Sequence, residues 1–361
     1  MKIAIIGARG IPASYGGFET FAEEISIRLA NETFDVTVIC QDGNPKLDFY
    51  NKVQLRYSRF SKEKNPVKFY YDSLKMALGN YDITVVCGVG GALFYPFLKK
   101  SKGRIITHVD GREELRGKYS GQKKLYVRMA QTFAAKYSDH IVADSNAVKR
   151  HWQTKYALSE NKISAIAFGA PNNISSDDTI LSNIGLNRKT YYLVVCRMVP
   201  ENNLEMILRG FISSESKSKL VLVGTLAGEY GEQLKKYSSE QIMFIGSVYD
   251  KRKLFSLRTN CKAYLHGHSV GGTNPSLLES MAAGNVCICH DNEYNRETTD
   301  GEMIYFHNAE VLSEKIKEVE NMDDAATKQF VSKGMMRISS SYNWEKITQQ
   351  YVKLFYSFKI R

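Results

Sequence analysis

The sequence predicts an α/β protein built as two doubly wound parallel-sheet domains, and three observations carry that expectation. Short apolar runs rich in Val and Ile recur along the 361 residues, with amphipathic helical segments between them. The alternation lapses once, between Gly169 and Arg188, where Pro171-Asn172-Asn173-Ile174-Ser175-Ser176-Asp177-Asp178 has the composition of an interdomain linker. It then resumes in the same style, and the length suits two domains better than one core.

The elements follow in order. Lys2–Ile6 reads as a strand, a glycine-rich stretch follows, Phe18–Ala30 has helical periodicity, and Val36–Cys40 is a second strand, which together make a βαβ unit. Further strands are expected at Val53–Tyr57, Ile83–Cys87, Arg104–His108, Ile141–Ala143 and Lys162–Ile166, with helices near Pro66–Leu78, Gln122–Tyr137 and Ala147–Tyr156. Beyond the linker the strands are Tyr191–Cys196, Lys219–Val223, Gln241–Ile245, Lys262–Leu265 and Val286–Cys289, and the helices Leu204–Phe211, Asp250–Arg258 and Pro275–Ala283. The tail from Tyr342 to Phe358 carries Trp344, Ile347, Tyr351, Leu354 and Phe355 at three- and four-residue spacing, a stripe that must dock.

Composition narrows the class. Mean hydropathy is −0.32, and runs such as Ile83–Cys87 fall far short of the roughly 20 apolar residues of a membrane span. Met1 leads straight into the first strand, so an export signal is not expected. The cysteines Cys40, Cys87, Cys196, Cys261, Cys287 and Cys289 lie in or beside strand-like runs without a C-x-x-C pair, which reads as a reduced, cytosolic protein. Cys287 and Cys289 share one strand face, but two thiols make a poor zinc site. The net charge of +11 is uneven: up to residue 170 there are 26 Lys and Arg against 16 Asp and Glu, and beyond it 23 against 22. The first half therefore suits an anionic partner: nucleic acid, lipid headgroups or a phosphorylated substrate.

Five constellations can carry chemistry. The loop Gly7 to Gly17, with Gly10, Gly16 and Gly17, lies between a strand and a helix start, where backbone N–H groups can approach an anion. It lacks the G-x-G-x-x-G spacing that would make Asp42 a dinucleotide ribose ligand, and no Walker A pattern is present. Arg197 follows the strand Tyr191–Cys196, at the end of a parallel strand where a guanidinium can clamp a diphosphate; pairing with Glu201 or Glu205 is the equal alternative. In His266 to Gly284, Asn274 is a good N-cap and Pro275 a natural first helical residue, so Gly271, Gly272, Thr273 and Asn274 form a nest of N–H groups at a helix start. Glu279, one turn in, can accept from ribose hydroxyls, an ordinary capped helix being the plainer reading. His266 and His268 need more partners than their surroundings offer to hold a metal. His108-Val109-Asp110-Gly111 puts an imidazole and a carboxylate at a strand end, although a buried His bonded to a backbone carbonyl would look the same. Last, Arg112, Arg116, Lys118, Lys123, Lys124 and Arg128 interleave with Leu115, Tyr119, Leu125, Tyr126, Val127 and Met129, either as a membrane-surface segment or as a solvated helix face.

Taken in order, Lys2–Pro12, Tyr15-Gly16-Gly17-Phe18-Glu19-Thr20, His108-Val109-Asp110-Gly111, Val142-Ala143-Asp144-Ser145, Arg197-Met198-Val199-Pro200-Glu201-Asn202-Asn203 and Gly271–Glu279 resemble a bacterial rhamnosyltransferase subset of glycosyltransferase family 4. That resemblance spans almost the whole chain. It implies a GT-B fold: two Rossmann-like domains facing across a cleft, residues 1–170 binding the acceptor, 171–344 the nucleotide-sugar, and a last helix at 345–361 crossing back. It implies sugar transfer with retention, without metal or cofactor, from dTDP-rhamnose to a lipid-linked glycan at the inner face of the plasma membrane. Arg197 would hold the diphosphate, His108 and Asp110 the reacting sugars, and Gly10, Gly16, Gly17, Gly271, Gly272, Thr273, Asn274 and Glu279 the donor. The absence of a D-x-D motif agrees. Two positions depart from the wider family: Gly271 stands where a first glutamate is usual, and Asn202 where a lysine is usual. The resemblance reads both as a change of donor, with the backbone of Gly271 to Thr273 meeting the sugar. Two other classes stay open: a nucleotide-sugar epimerase of the same fold, and a non-catalytic membrane- or nucleic-acid-binding protein. No RRM, KH or helix-turn-helix pattern favours nucleic acid.

Overall fold

The computed structural model describes residues 1–13, 16–42, 46–98, 102–111, 121–171 and 174–358. The chain divides into two units, Met1–Phe168 with Trp344–Arg361, and Gly169–Asn343.

In the first unit the strands are β1 (Lys2–Ile6), β2 (Asp35–Cys40), β3 (Phe49–Tyr50), β4 (Val53–Tyr57), β5 (Ile83–Cys87), β6 (Arg104–Val109), β7 (His140–Ala143) and β8 (Ile163–Ala165). They form one sheet in the order β3-β4-β2-β1-β5-β6-β7-β8, parallel except for the edge pair β3–β4. The helices are α1 (Gly17–Asn31), α2 (Pro66–Ala77), α3 (Tyr95–Leu98), α4 (Gly121–Tyr137) and α5 (Asn146–Tyr156). Ile3, Ala4, Ile5 and Ile6 are wholly buried, because a central parallel strand is covered on both faces and so reads as an unbroken apolar run. Strand order reverses between β1 and β5, which opens a crevice beyond their C-terminal ends.

The second unit contains α6 (Thr179–Asn183), β9 (Tyr191–Val195), α7 (Leu204–Ser214), β10 (Lys219–Val223), α8 (Gly228–Leu234), β11 (Ile242–Phe244), α9 (Lys251–Asn260), β12 (Ala263–His266), α10 (Pro275–Ala282), β13 (Cys287–His290), α11 (Glu293–Thr299), β14 (Ile304–Phe306), α12 (Ala309–Glu320) and α13 (Asp324–Ser341). Its six-stranded parallel sheet runs β11-β10-β9-β12-β13-β14, with the reversal between β9 and β12. The core packs α7 and α12 on one face through Leu204, Ile207, Leu208, Phe211, Leu312 and Ile316.

Three expectations change. The stretch read as a linker holds α6, and Asp178 just before it accepts hydrogen bonds from Ser256, Asn260 and Arg188, so that segment is built into the second unit. The second half also contains α8, α11, α12, α13 and β14, which the expected elements omit. The tail helix starts at Trp344 rather than Tyr342, because Tyr342 caps the C-terminus of α13. That last helix, α14 (Trp344–Ser357), belongs to the first unit and packs on α1. Trp344, Ile347, Tyr351 and Phe355 are all at most 2% exposed, and Leu354 is half-buried. All six cysteines are free thiols. Among the described residues no helix is long and apolar enough to cross a membrane.

Candidate functional site

In the second unit the two strands at the reversal, β9 and β12, release the two segments singled out by sequence. Arg197 lies two residues beyond β9 with an exposed side chain. Its carbonyl is fixed by the amide of Asn202 (2.7 Å) and the backbone N–H of Val199 (2.9 Å). Its guanidinium takes no hydrogen-bond or ion-pair partner among the described residues. The alternative of an Arg197–Glu205 pair fails because Glu205 pairs with Arg209 at 2.8 Å; Glu201 does not pair with Arg197 either. Asn202, at the position where the wider family has a lysine, is 3% exposed and serves the turn rather than a ligand. The turn is also locked to the segment after β12: Asn203 donates to the Gly267 carbonyl at 2.8 Å. A Cβ at Gly267 would stand 2.2 Å from the Asn202 carbonyl oxygen, so only glycine fits.

Helix α10 begins at Pro275, with the Asn274 side chain accepting from the Ser276 N–H at 2.9 Å. Gly271 adopts φ +152°, while Gly272 and Thr273 are buried. The loop thus delivers backbone N–H groups to the positive end of a helix beside the turn that carries Arg197. Glu279 faces a residue that the sequence reading misses. Arg258 of α9 is 2% exposed at its side chain, and its Nη2 meets Glu279 Oε2 at 2.6 Å. The available signal is a charge on a buried helix face, directly after the buried Leu257.

His266 is wholly buried with neither ring nitrogen hydrogen-bonded, and its ring stacks on His268 at 4.4 Å. Burial, reinforced by His268, drives its pKa well below the usual imidazole range, so it is neutral. Among the described residues no cluster of three or more His, Cys, Asp or Glu could hold a metal ion.

In the first unit, Gly10 (φ +144°) passes so close to β2 that a Cβ would lie 2.8 Å from Cys40. Two buried glutamates of α1 organise the loop: Glu19 accepts from the Arg9 N–H at 2.8 Å and Glu23 from the Ala13 N–H. Those two N–H groups are therefore already satisfied within the unit. Gly16 caps α1 with φ 84° and Gly17 begins it. The Lys62 ammonium, absent from the sequence-derived candidates, donates to the Gly7 carbonyl.

His108, the penultimate residue of β6, is wholly buried. Its ring sits among Phe21 (4.6 Å), Phe168 (5.2 Å) and Phe18 (5.5 Å). Its Nδ1 is 3.3 Å from the hydroxyl of Tyr351, a residue of α14, a phenol rather than the backbone carbonyl of the alternative reading. Nε2 is buried and has no hydrogen-bond partner among the described residues. Burial lowers the His108 pKa to about 4, with the charge of Asp110 opposing. Asp110 is half-buried immediately beyond the strand.

On α4, Lys123 and Arg128 are exposed and Lys124 is half-buried. Leu125 and Met129 are 60% and 45% exposed on the same helix, which Val127 and Ala130 anchor to the unit. Arg116 and Lys118 lie outside the described residues.

The second unit thus sets an exposed guanidinium and a capped helix start at its strand reversal, the place where open parallel α/β sheets bind their ligands. Comparison with known proteins supplies the class. The family model described as Glycosyltransferase Family 4 matches residues 15–170, and that described as Glycosyl transferases group 1 matches residues 177–334. The chain belongs to these glycosyltransferases and has the GT-B type of architecture. No curated protein matches it. Among solved structures, it is similar to sucrose-phosphate synthase from Thermosynechococcus elongatus, at 15% identity and TM-score 0.79 over 99% of both chains. It is likewise similar to Anabaena HepE in complex with UDP-glucose, at 16% identity and TM-score 0.78 over 99% of this chain and 100% of that one. A glycosyltransferase from Rickettsia africae matches at 15% identity and TM-score 0.74, over 98% and 97% of the two chains.

Proposed function

We propose that the protein is a retaining glycosyltransferase that moves a deoxyhexose, rhamnose from dTDP-rhamnose, to a hydroxyl of a lipid-linked saccharide in surface polysaccharide synthesis. It works without a metal or other cofactor, at the cytoplasmic face of the plasma membrane. The observation that carries the reading is the guanidinium of Arg197, exposed and without a partner among the described residues, beside the start of α10. HepE, similar in fold, binds UDP-glucose, which supports a nucleotide-diphospho-sugar as donor.

As the bond from the sugar to the diphosphate breaks, its electron pair stays on the phosphate oxygen. Arg197 and the N–H groups of Gly272, Thr273 and Asn274 stabilise that growing charge. The acceptor hydroxyl oxygen forms the new bond on the same face of the sugar, and its proton passes to the departing phosphate. Glu279 accepts from the ribose. Gly271, offering no carboxylate where the wider family has one, suits an altered donor sugar. His108 and Asp110 orient the sugars, while Gly10, Gly16 and Gly17 approach the donor phosphates. Arg116, Lys118, Lys123, Lys124 and Arg128 supply positive charge for anionic headgroups around the lipid-linked acceptor.

Incubation of the purified protein with dTDP-rhamnose and a lipid-linked saccharide tests this. A rhamnosylated product of unchanged anomeric configuration is expected, formed only with acceptor present. Isomerised donor in the absence of acceptor would instead make the protein an epimerase.

A further inference from the structure

We propose that Arg258 is a positioning residue that holds the Glu279 carboxylate so that one oxygen alone, Oε1, is offered to one ribose hydroxyl, which suits the site to 2′-deoxyribonucleoside diphosphates. The inference rests on the donor-site reading above. All side-chain hydrogen bonds of Arg258 go to one face of α10: Nη1 to Ser280 Oγ (2.6 Å) and the Ser276 carbonyl (3.3 Å), Nη2 to Ser276 Oγ (3.1 Å) and Glu279 Oε2 (2.6 Å). Residues 276, 279 and 280 stand at the three- and four-residue spacing that aligns side chains on a helix. The guanidinium also lies 5.5 Å from the centre of the Tyr264 ring.

Stripping a guanidinium of water is costly, and an apolar side chain could fill the same space between α9 and α10 without that penalty. What the arginine adds is direction. Its planar fork fixes the Glu279 rotamer and occupies Oε2, whereas among the described residues nothing hydrogen-bonds Oε1, and the side chain stays 29% exposed. A carboxylate with both oxygens free can grip a ribose diol in bidentate fashion; with one oxygen taken, it reads a single hydroxyl, and loss of the 2′-hydroxyl changes little. The same network reaches the diphosphate end. Ser276 Oγ donates to the Val195 carbonyl at 2.9 Å, two residues before Arg197, and the Tyr264 hydroxyl donates to that carbonyl at 3.2 Å.

Titration calorimetry with thymidine 5′-diphosphate, 5-methyluridine 5′-diphosphate and inorganic pyrophosphate tests the proposal, because the two nucleotides differ only by the 2′-hydroxyl. The native protein is expected to bind both nucleotides within about threefold of each other. Arg258→Lys and Glu279→Gln should each weaken both nucleotides about tenfold, the worth of one charge-assisted hydrogen bond, with the double variant no weaker than either single. Pyrophosphate affinity should stay within about twofold throughout. A tenfold preference for the 2′-hydroxylated nucleotide, or an Arg258→Lys loss that falls equally on pyrophosphate, overturns the proposal while leaving the donor site in place. If Arg258→Lys does not fold, Ser280→Ala, which removes one anchor of the guanidinium, should weaken the nucleotides about threefold and spare pyrophosphate; nucleotide binding equal to the native protein overturns it. Native protein that binds neither nucleotide nor pyrophosphate overturns the donor-site reading itself, and this inference with it.

Discussion

The phenol oxygen of Tyr351 lies 3.3 Å from Nδ1 of His108, and 243 residues of chain separate the two. Burial raises the Tyr351 pKa well above the usual phenol value, and burial lowers that of His108 to about 4, so at neutral pH a protonated phenol meets a neutral imidazole. A phenol donating to Nδ1 puts the ring proton on Nε2, which has no hydrogen-bond partner among the described residues, and an Nδ1–H donating to the phenol oxygen is the other tautomer. The last helix of the chain thereby bears on the tautomer of a residue at the C-terminal end of a sheet strand. Tyr351→Phe keeps the ring packing and removes only the hydroxyl. It should cost about 1 kcal/mol of stability and lower kcat more than it raises KM. Nitrogen chemical shifts of His108 should show both tautomers in the variant and one in the native protein.

The same burial makes stability depend on pH with a defined sign. Burial lowers both His108 and His140 to about 4, against an unfolded value near 6.5. The unfolded chain therefore binds more protons in the interval between, and stability is full above about pH 6.5 and falls as pH drops toward 4. Each histidine contributes roughly 3 kcal/mol at most to that fall. Thermal melts from pH 7 to pH 4.5 should show it, and His108→Phe should flatten the slope. An unchanged slope in that variant would mean that His108 titrates normally in the fold.

Membrane contact makes a separate demand on α4. Lys123 is exposed and Lys124 half-buried next to Leu125, which is 60% exposed. Each lysine near an anionic surface is worth about 1 kcal/mol. Reversing both to glutamate should weaken binding to phosphatidylglycerol-containing vesicles by more than tenfold, and native binding should fade as salt shortens the Debye length. Vesicle binding indifferent to that reversal would remove α4 from the membrane-facing surface.

How much of this is legible in the sequence depends on the range of the interaction. Central strands such as Tyr191–Val195 and Ile83–Cys87 announce themselves because both faces are buried. The start of α10 is legible from Asn274 and Pro275, since capping is a local matter. By contrast α13 buries only Gly334 and Ile338, too sparse a stripe to read, and β14 is three residues long. Arg197 can be found from its place after a strand, but that Glu205 is taken by Arg209 across one turn of α7 shows only in the structure. The pairing of Arg258 with Glu279 requires two helices to meet, and that of Tyr351 with His108 requires the end of the chain to return to its first unit.

The central claim is that Arg197 carries the charge of the departing diphosphate. Because its side chain is exposed and makes no ion pair among the described residues, Arg197→Ala should leave the melting temperature nearly unchanged. Its kcat/KM for rhamnosyl transfer from dTDP-rhamnose should fall by about 10²- to 10³-fold, as for other donors that stabilise developing negative charge. Transfer at the native kcat/KM in that variant would contradict the account.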